Sequence, residues 1–175
     1  SGEIPSFVDA FFEITSGFTT TGASVVTDVE ALSHSMLFWR SFSHWIGGMG
    51  ILVFILAFIP ESEDGSSLHI LRAESPGPKV GKLVSKMKVT SRILYLIYLS
   101  LTIIEMLLLW LGPDEKMTLF NSVIYALGTA GTGGFAVDAT SLAAYGSYSQ
   151  YVVAIFMIIF GINFTMFYMI IIGNW

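Results

Sequence analysis

The sequence predicts an all-α transmembrane fold built from a repeated unit of span, short re-entrant helix and span. Three observations carry that prediction. Charged residues make up only 12% of the chain against 54% apolar, where a soluble domain carries about 25% charged residues. Three long segments are almost free of charge. Two shorter apolar segments end in threonine and glycine and are too short to cross a bilayer.

The first short segment runs from Phe7 to Gly22 and closes on "GFTTTG". Some 11–12 helical residues reach only ~18 Å, and its glycine-rich end is a poor helix former. Non-helical backbone at membrane depth is tolerated only where protein buries it or where it lines a water-filled cavity. The segment therefore reads as a helix that dips in, turns at its tip and leaves on the side it entered. Ser41–Pro60 follows, free of Asp, Glu, Lys and Arg; about 20 residues span the ~30 Å hydrocarbon layer. Pro60 and "ESEDGSS" end it. Residues 61–92 hold six of the eight Lys and Arg residues, which makes this linker cytoplasmic. Ile93–Pro113 is a second span, interrupted only by Glu105. Thr118–Gly133 is the second short segment, and Tyr151–Ile172 is a third span within an uncharged C-terminal stretch. The organisation is thus a first unit over 1–60, a basic linker over 61–92 and a second unit over 93–175. With the linker inside, both tips enter from the outer side. Asp28, Glu30, Asp114, Glu115 and Asp138 then lie outside, against Arg40 and Lys116. They form an acidic vestibule that concentrates cations, or else plain solvated loop charge.

A shift of 111 positions lays Gly17 on Gly128, Thr21 on Thr132, Gly22 on Gly133 and Gly50 on Gly161. It also brings segment order into line: short helix, tip, span. The second unit has a leading span that the first lacks, so the chain reads as an N-terminally truncated piece of a longer array. No signal peptide is visible at its start.

The chemistry of the tips follows from what they lack. Neither carries a cluster of carboxylates, as a tight divalent-cation site would. An extended backbone with inward carbonyls can replace the water of a monovalent cation. Glycine permits the dihedrals this needs, and the helix C-terminus aimed at the tip favours positive charge. The absence of cysteine excludes disulfides and thiol chemistry. No stripe of basic and aromatic residues suggests nucleic acid, and no cofactor motif is present.

The stretches "TSGFTTTGAS", "WRSFSHWIGGMGILV", "LRAESPGP" and "TAGTGGF" with "GINF" resemble the Trk/Ktr/HKT superfamily of potassium uptake proteins, in particular its bacterial Trk-type pore subunits. The resemblance covers essentially the whole chain in motif order. It implies a potassium-channel-like pore of four covalently linked repeats, about two of which lie here: most of the first and all of the second. It implies a first filter strand Thr19-Thr20-Thr21-Gly22-Ala23 and a second Ala130-Gly131-Thr132-Gly133-Gly134. Potassium, the transported ligand, would sit at Thr20, Thr21, Gly131 and Thr132. It further implies an inner-membrane location, a homodimer and a cytoplasmic nucleotide-binding regulatory subunit. Neither tip carries the Thr-Val-Gly-Tyr-Gly signature of tetrameric potassium channels, so a less selective potassium/sodium channel or a cation symporter of the same fold is the alternative.

Other residues invite sharper and plainer readings. Gly47, Gly48 and Gly50 lack the lysine of a nucleotide loop and read as small residues that let helices approach, with a hinge as the minority view. His44 is a proton or ion site, or a packing residue. With Ser43 it also supports a membrane-embedded enzyme, the alternative from another class. Glu105 is a functional acid or a hydrogen-bonded tie between helices. Asn163 faces the pore or a neighbouring helix. Arg40 is expected to snorkel to the outer boundary. The basic linker is expected to lie on anionic lipid or contact a cytoplasmic partner.

Overall fold

A computed structural model describes residues 2–50, 80–162 and 166–167, with side chains from residue 89 onward in the second block. Asn163, most of the linker and the ends of the first and third expected spans (Ser41–Pro60 and Tyr151–Ile172) lie outside the described residues.

All regular structure among the described residues is helical. Helix α1 (Phe7–Phe18) is capped by the Ser6 hydroxyl, and α2 (His34–Met49) by that of Ser33. Helix α3 covers Val80–Trp110. Helix α4 (Leu119–Ala130) starts at Thr118, whose hydroxyl accepts from Asn121 N–H at 3.2 Å. A short 3₁₀ turn (Ser141–Ala144) precedes α5 (Ser147–Gly161). Each N-terminal hydroxyl satisfies a donor the helix itself leaves unpaired.

α4 is the central element, packed on α2, α3 and α5, while α2 lies between the two short helices. One core joins Trp45, Met49, Tyr95, Tyr98, Ala130, Phe156 and Phe160. A second joins Leu109, Met117, Tyr125, Tyr145 and Val153. Polar bonds fix the first: the Tyr98 hydroxyl donates to the Trp45 carbonyl at 2.9 Å, and the Trp45 indole donates to Thr102 Oγ1 at 3.1 Å. Elsewhere the chain wears its apolar residues outward. Phe7 and Phe11 on α1, Leu96 and Ile103 on α3, and Tyr151 and Ile158 on α5 are all exposed. Apolar exposure on this scale suits lipid or further protein rather than water.

The three expected spans fare differently. In α3, Val89–Trp110 is 22 residues and contains an 18-residue window of mean hydropathy 2.1, and ~33 Å of helix is long enough to cross the hydrocarbon layer. Among the described residues it is the one helix long and apolar enough to do so. It also begins at Val80, well inside the expected linker, because from Lys82 to Arg92 neither glycine nor proline interrupts the helix. The expected helix over Ser41–Pro60 starts earlier, at His34, and stops at Met49. There Gly50 turns to φ +78°, a conformation open to glycine and costly for other residues. α5 likewise stops at Gly161, and Ile162 is extended. Gly161 and Gly50 are thus places where the expected spans are interrupted.

Candidate functional site

The two short helices, each 12 residues long, end in tips of the same construction. After α1, Thr20 N–H bonds the Gly17 carbonyl at 3.0 Å and Thr21 N–H the Ser16 carbonyl at 3.0 Å. After α4, Thr132 N–H bonds the Thr129 carbonyl at 2.8 Å and Gly133 N–H the Gly128 carbonyl at 3.3 Å. Thr20 and Thr132 then take φ of +55° and +53°, and Gly22 and Gly134 take +73° and +87°. A β-branched residue at positive φ is an outlier. It costs roughly 1–3 kcal/mol, a strain that collects at functional sites.

These correspondences sharpen the register. Ser6 matches Thr118, Phe18 matches Ala130 and Thr20 matches Thr132, each 112 positions apart. The identities in the sequence align at 111, one residue short. The glycine equivalent to Gly22 is therefore Gly134. Gly133 corresponds to Thr21, and Ala130 becomes the last helical residue rather than part of the extended strand.

The two tips abut. A Cβ on Gly22 would collide with the Gly133 carbonyl. Thr19 Oγ1 donates to the Thr15 carbonyl at 2.8 Å and lies 2.8 Å from Thr21 Oγ1. Those two hydroxyls thus serve the turn. Ala23 follows Gly22 and is exposed.

α2 seats both tips. Gly47 lies against the Phe18 carbonyl, and Gly48 against Gly131 Cα and the Tyr98 hydroxyl. The glycine pair is therefore a close-packing device, wedged between the ends of α1 and α4. His44 is fully buried, with its backbone against Gly131, its ring against Gly133, and its ring centroid 4.0 Å from that of Phe135. Neither ring nitrogen makes a hydrogen bond among the described residues. Ser43 donates instead to the Arg40 carbonyl at 2.6 Å and packs on Gly17. Nucleophile and base are thus not paired, as an enzyme of the kind considered would need.

Arg40 corrects an expectation. It does not snorkel: it is 4% exposed and its Nε donates to Glu13 Oε1 at 2.7 Å. Glu13 also accepts from Ser24 Oγ at 2.9 Å and from Val25 N–H at 3.1 Å. Sequence reasoning missed Glu13. Its signal was an acid in the middle of the apolar short helix, one of two there with Asp9, and an arginine in the next helix to receive it.

Glu105 is fully buried on α3 beside the Thr129 hydroxyl, just before the second tip. Both of its oxygens lack a hydrogen-bond partner among the described residues. Its neighbour there is a side chain of the short helix, the Thr129 hydroxyl, so Glu105→Gln in the full-length protein is expected to keep the wild-type uptake rate. Loss of transport in that variant would make the acid a participant. Several of the acids expected on the outer side are engaged: Glu30 accepts from Ala139 N–H at 3.3 Å across the two units. Asp114 accepts from Gly146 N–H at 2.6 Å, and Asp138 from the Tyr145 hydroxyl at 2.7 Å. Burial and the Asp138 contact push the Tyr145 phenol well above its ordinary range.

Comparison with known proteins accounts for this arrangement. Residues 1–174 match the family model TrkH, a cation transport protein. The Trk system potassium uptake protein TrkH of Vibrio parahaemolyticus is 38% identical over 163 residues, covering 92% of this chain and 33% of that protein. TrkH of Escherichia coli K12 is 35% identical over 171 residues, covering 97% and 35%. The crystal structure of the potassium transporter TrkH from Vibrio parahaemolyticus superposes with a TM-score of 0.72 at 33% identity, over 93% of this chain and 31% of that one. The chain thus spans about a third of the length of these relatives. Matched along nearly its whole length by sequence and by fold, the chain belongs to the TrkH family of cation transport proteins, membrane transporters rather than enzymes.

Proposed function

We propose that this chain supplies two neighbouring filter strands, and the helices that seat them, to a potassium uptake pore of the cytoplasmic membrane. The observation that carries the reading is the pair of like tips, each with a left-handed threonine and glycine at the end of a 12-residue helix, meeting at Gly22 and Gly133. The α1 and α4 C-termini direct their partial negative charge at the tips. Backbone carbonyls replace the ion's water. The 112-residue register pairs Thr20 with Thr132 and Thr21 with Gly133. It moves the second ion-facing pair one residue on, from Gly131 and Thr132 to Thr132 and Gly133. The strands are then Thr19–Ala23 and Gly131–Phe135. Residues 1–60 act as a first repeat, 61–92 as the cytoplasmic connection and 93–175 as a second repeat, with the tips entered from the outside. The remaining repeats of the polypeptide complete the ring, and a second copy and a cytoplasmic nucleotide-binding regulatory subunit are the proposed partners.

The test is growth at low potassium of an uptake-deficient bacterium carrying the full-length protein, with rubidium uptake measured against added sodium. Potassium-dependent rescue with uptake resistant to sodium supports the reading. Equal competition by sodium favours a less selective channel, and sodium-stimulated uptake favours a symporter.

A further inference from the structure

Behind the tips, one face of α2 reaches the outgoing limb of both loops. Arg40 and His44 are four residues apart and so share that face. On the first loop, Arg40 Nη2 donates to Ser24 Oγ at 3.1 Å and Arg40 Nε to Glu13 at 2.7 Å. Glu13 in turn holds Ser24 and Val25, two and three residues past Gly22. On the second loop, the Arg40 guanidinium carbon lies 4.2 Å from the Phe135 ring centroid, and the His44 ring lies 4.0 Å from it. Phe135 directly follows Gly134 and is 4% exposed. One buried side chain thus forms an ion pair beneath one strand and a cation–π contact beneath the next.

We propose that Arg40 is a positioning residue that locks the two neighbouring filter strands in one relative geometry, and so sets discrimination between cations rather than the capacity to conduct. The chemistry suits arginine in particular. Its planar fork bonds carboxylate and hydroxyl in fixed directions while its face stacks on an aromatic ring. Lysine keeps the charge and loses both constraints. Removing either partner of a buried pair leaves a charge uncompensated, so the brace resists loosening. A filter that discriminates by oxygen spacing needs its strands held tightly, since small misplacements of a site cost large factors.

The inference rests on the filter reading, and the experiment separates the two. In the full-length protein, rubidium uptake is measured over a sodium series for wild type, Arg40→Lys and Glu13→Gln, with membrane abundance determined for each. Arg40→Lys is expected to lower the sodium concentration that half-inhibits uptake by about tenfold, with maximal uptake per molecule kept. Glu13→Gln should shift it the same way, and the double variant should shift it by less than the product of the two. Unchanged discrimination in Arg40→Lys, or a loss of maximal uptake at constant discrimination, overturns the inference and makes the pair a structural tie only. If Arg40→Lys does not accumulate in the membrane, Phe135→Leu removes the stacking while sparing the ion pair. It must shift the same ratio, or the proposal falls. A wild-type protein that takes up no rubidium, or does not discriminate at all, fails the filter reading instead.

Discussion

Gly22→Ala in the full-length protein is expected to abolish potassium uptake while the protein still reaches the membrane. Two separate effects act on that substitution. Gly22 sits at φ +73°, where an L-residue pays roughly 1–2 kcal/mol. Its added Cβ would also collide with the Gly133 carbonyl. That oxygen belongs to the backbone of the neighbouring tip, so it moves only if the second strand moves. The two like-placed glycines grade the expectation. Gly133→Ala meets the imidazole of His44, whereas Gly134→Ala, at φ +87°, meets nothing within 4 Å among the described residues. Strain alone acts there, so the expected order of damage is Gly22, then Gly133, then Gly134. Rubidium uptake normalised to membrane abundance reads that order. Full transport by Gly22→Ala would remove the tips from the permeation path.

Gly48→Ala is expected to loosen the whole seat of the tips. The new methyl carbon would stand 2.6 Å from the Tyr98 hydroxyl, 2.8 Å from Gly131 Cα and 3.1 Å from the Ala130 carbonyl. Gly47→Ala would press on the Phe18 carbonyl. Most of these neighbours are backbone, and Tyr98 is itself fixed by its bond to the Trp45 carbonyl. Overpacking of this kind typically costs about 1–3 kcal/mol. Both variants should lower the thermal midpoint of the detergent-solubilised protein and reduce uptake together. Gly161→Ala, whose added carbon meets nothing within 4 Å among the described residues, is the control and should do neither. A stable, fully active Gly48→Ala would show that the wedge of α2 between the short helices is not what sets the tips.

Much of this arrangement was legible in the sequence because it rests on lengths and on glycine. The short helices stop where the threonine and glycine run begins, and a stretch from Ile93 whose one charged residue is Glu105 marks the apolar part of α3. The glycine pair in "GGMG" was readable as a close contact for the same reason. What lay beyond reach depends on residues distant in the chain. Glu13 and Arg40 are 27 positions apart, and no local pattern announces their bond. Arg40 looks like any boundary arginine until its partner is known. The register was misplaced by one because identical residues at Gly17 and Gly128 outweighed the cap positions, whereas the hydrogen bonds follow the caps. The interruption at Gly50 was hidden by unbroken hydropathy, since a helix can stop without any change of polarity. α3 ran into the basic stretch because helix formation requires no loss of charge.

The central claim is that a cation sits among the backbone oxygens of these tips. Crystals of the full-length protein grown in rubidium and measured at its absorption edge test it most directly. The account predicts an anomalous peak at the meeting point of the two tips, ringed by carbonyls of Thr20, Thr21, Thr132 and Gly133, and weakened in Gly22→Ala. Well-ordered tips with no peak between them, or a peak held elsewhere by side-chain oxygens, would contradict it.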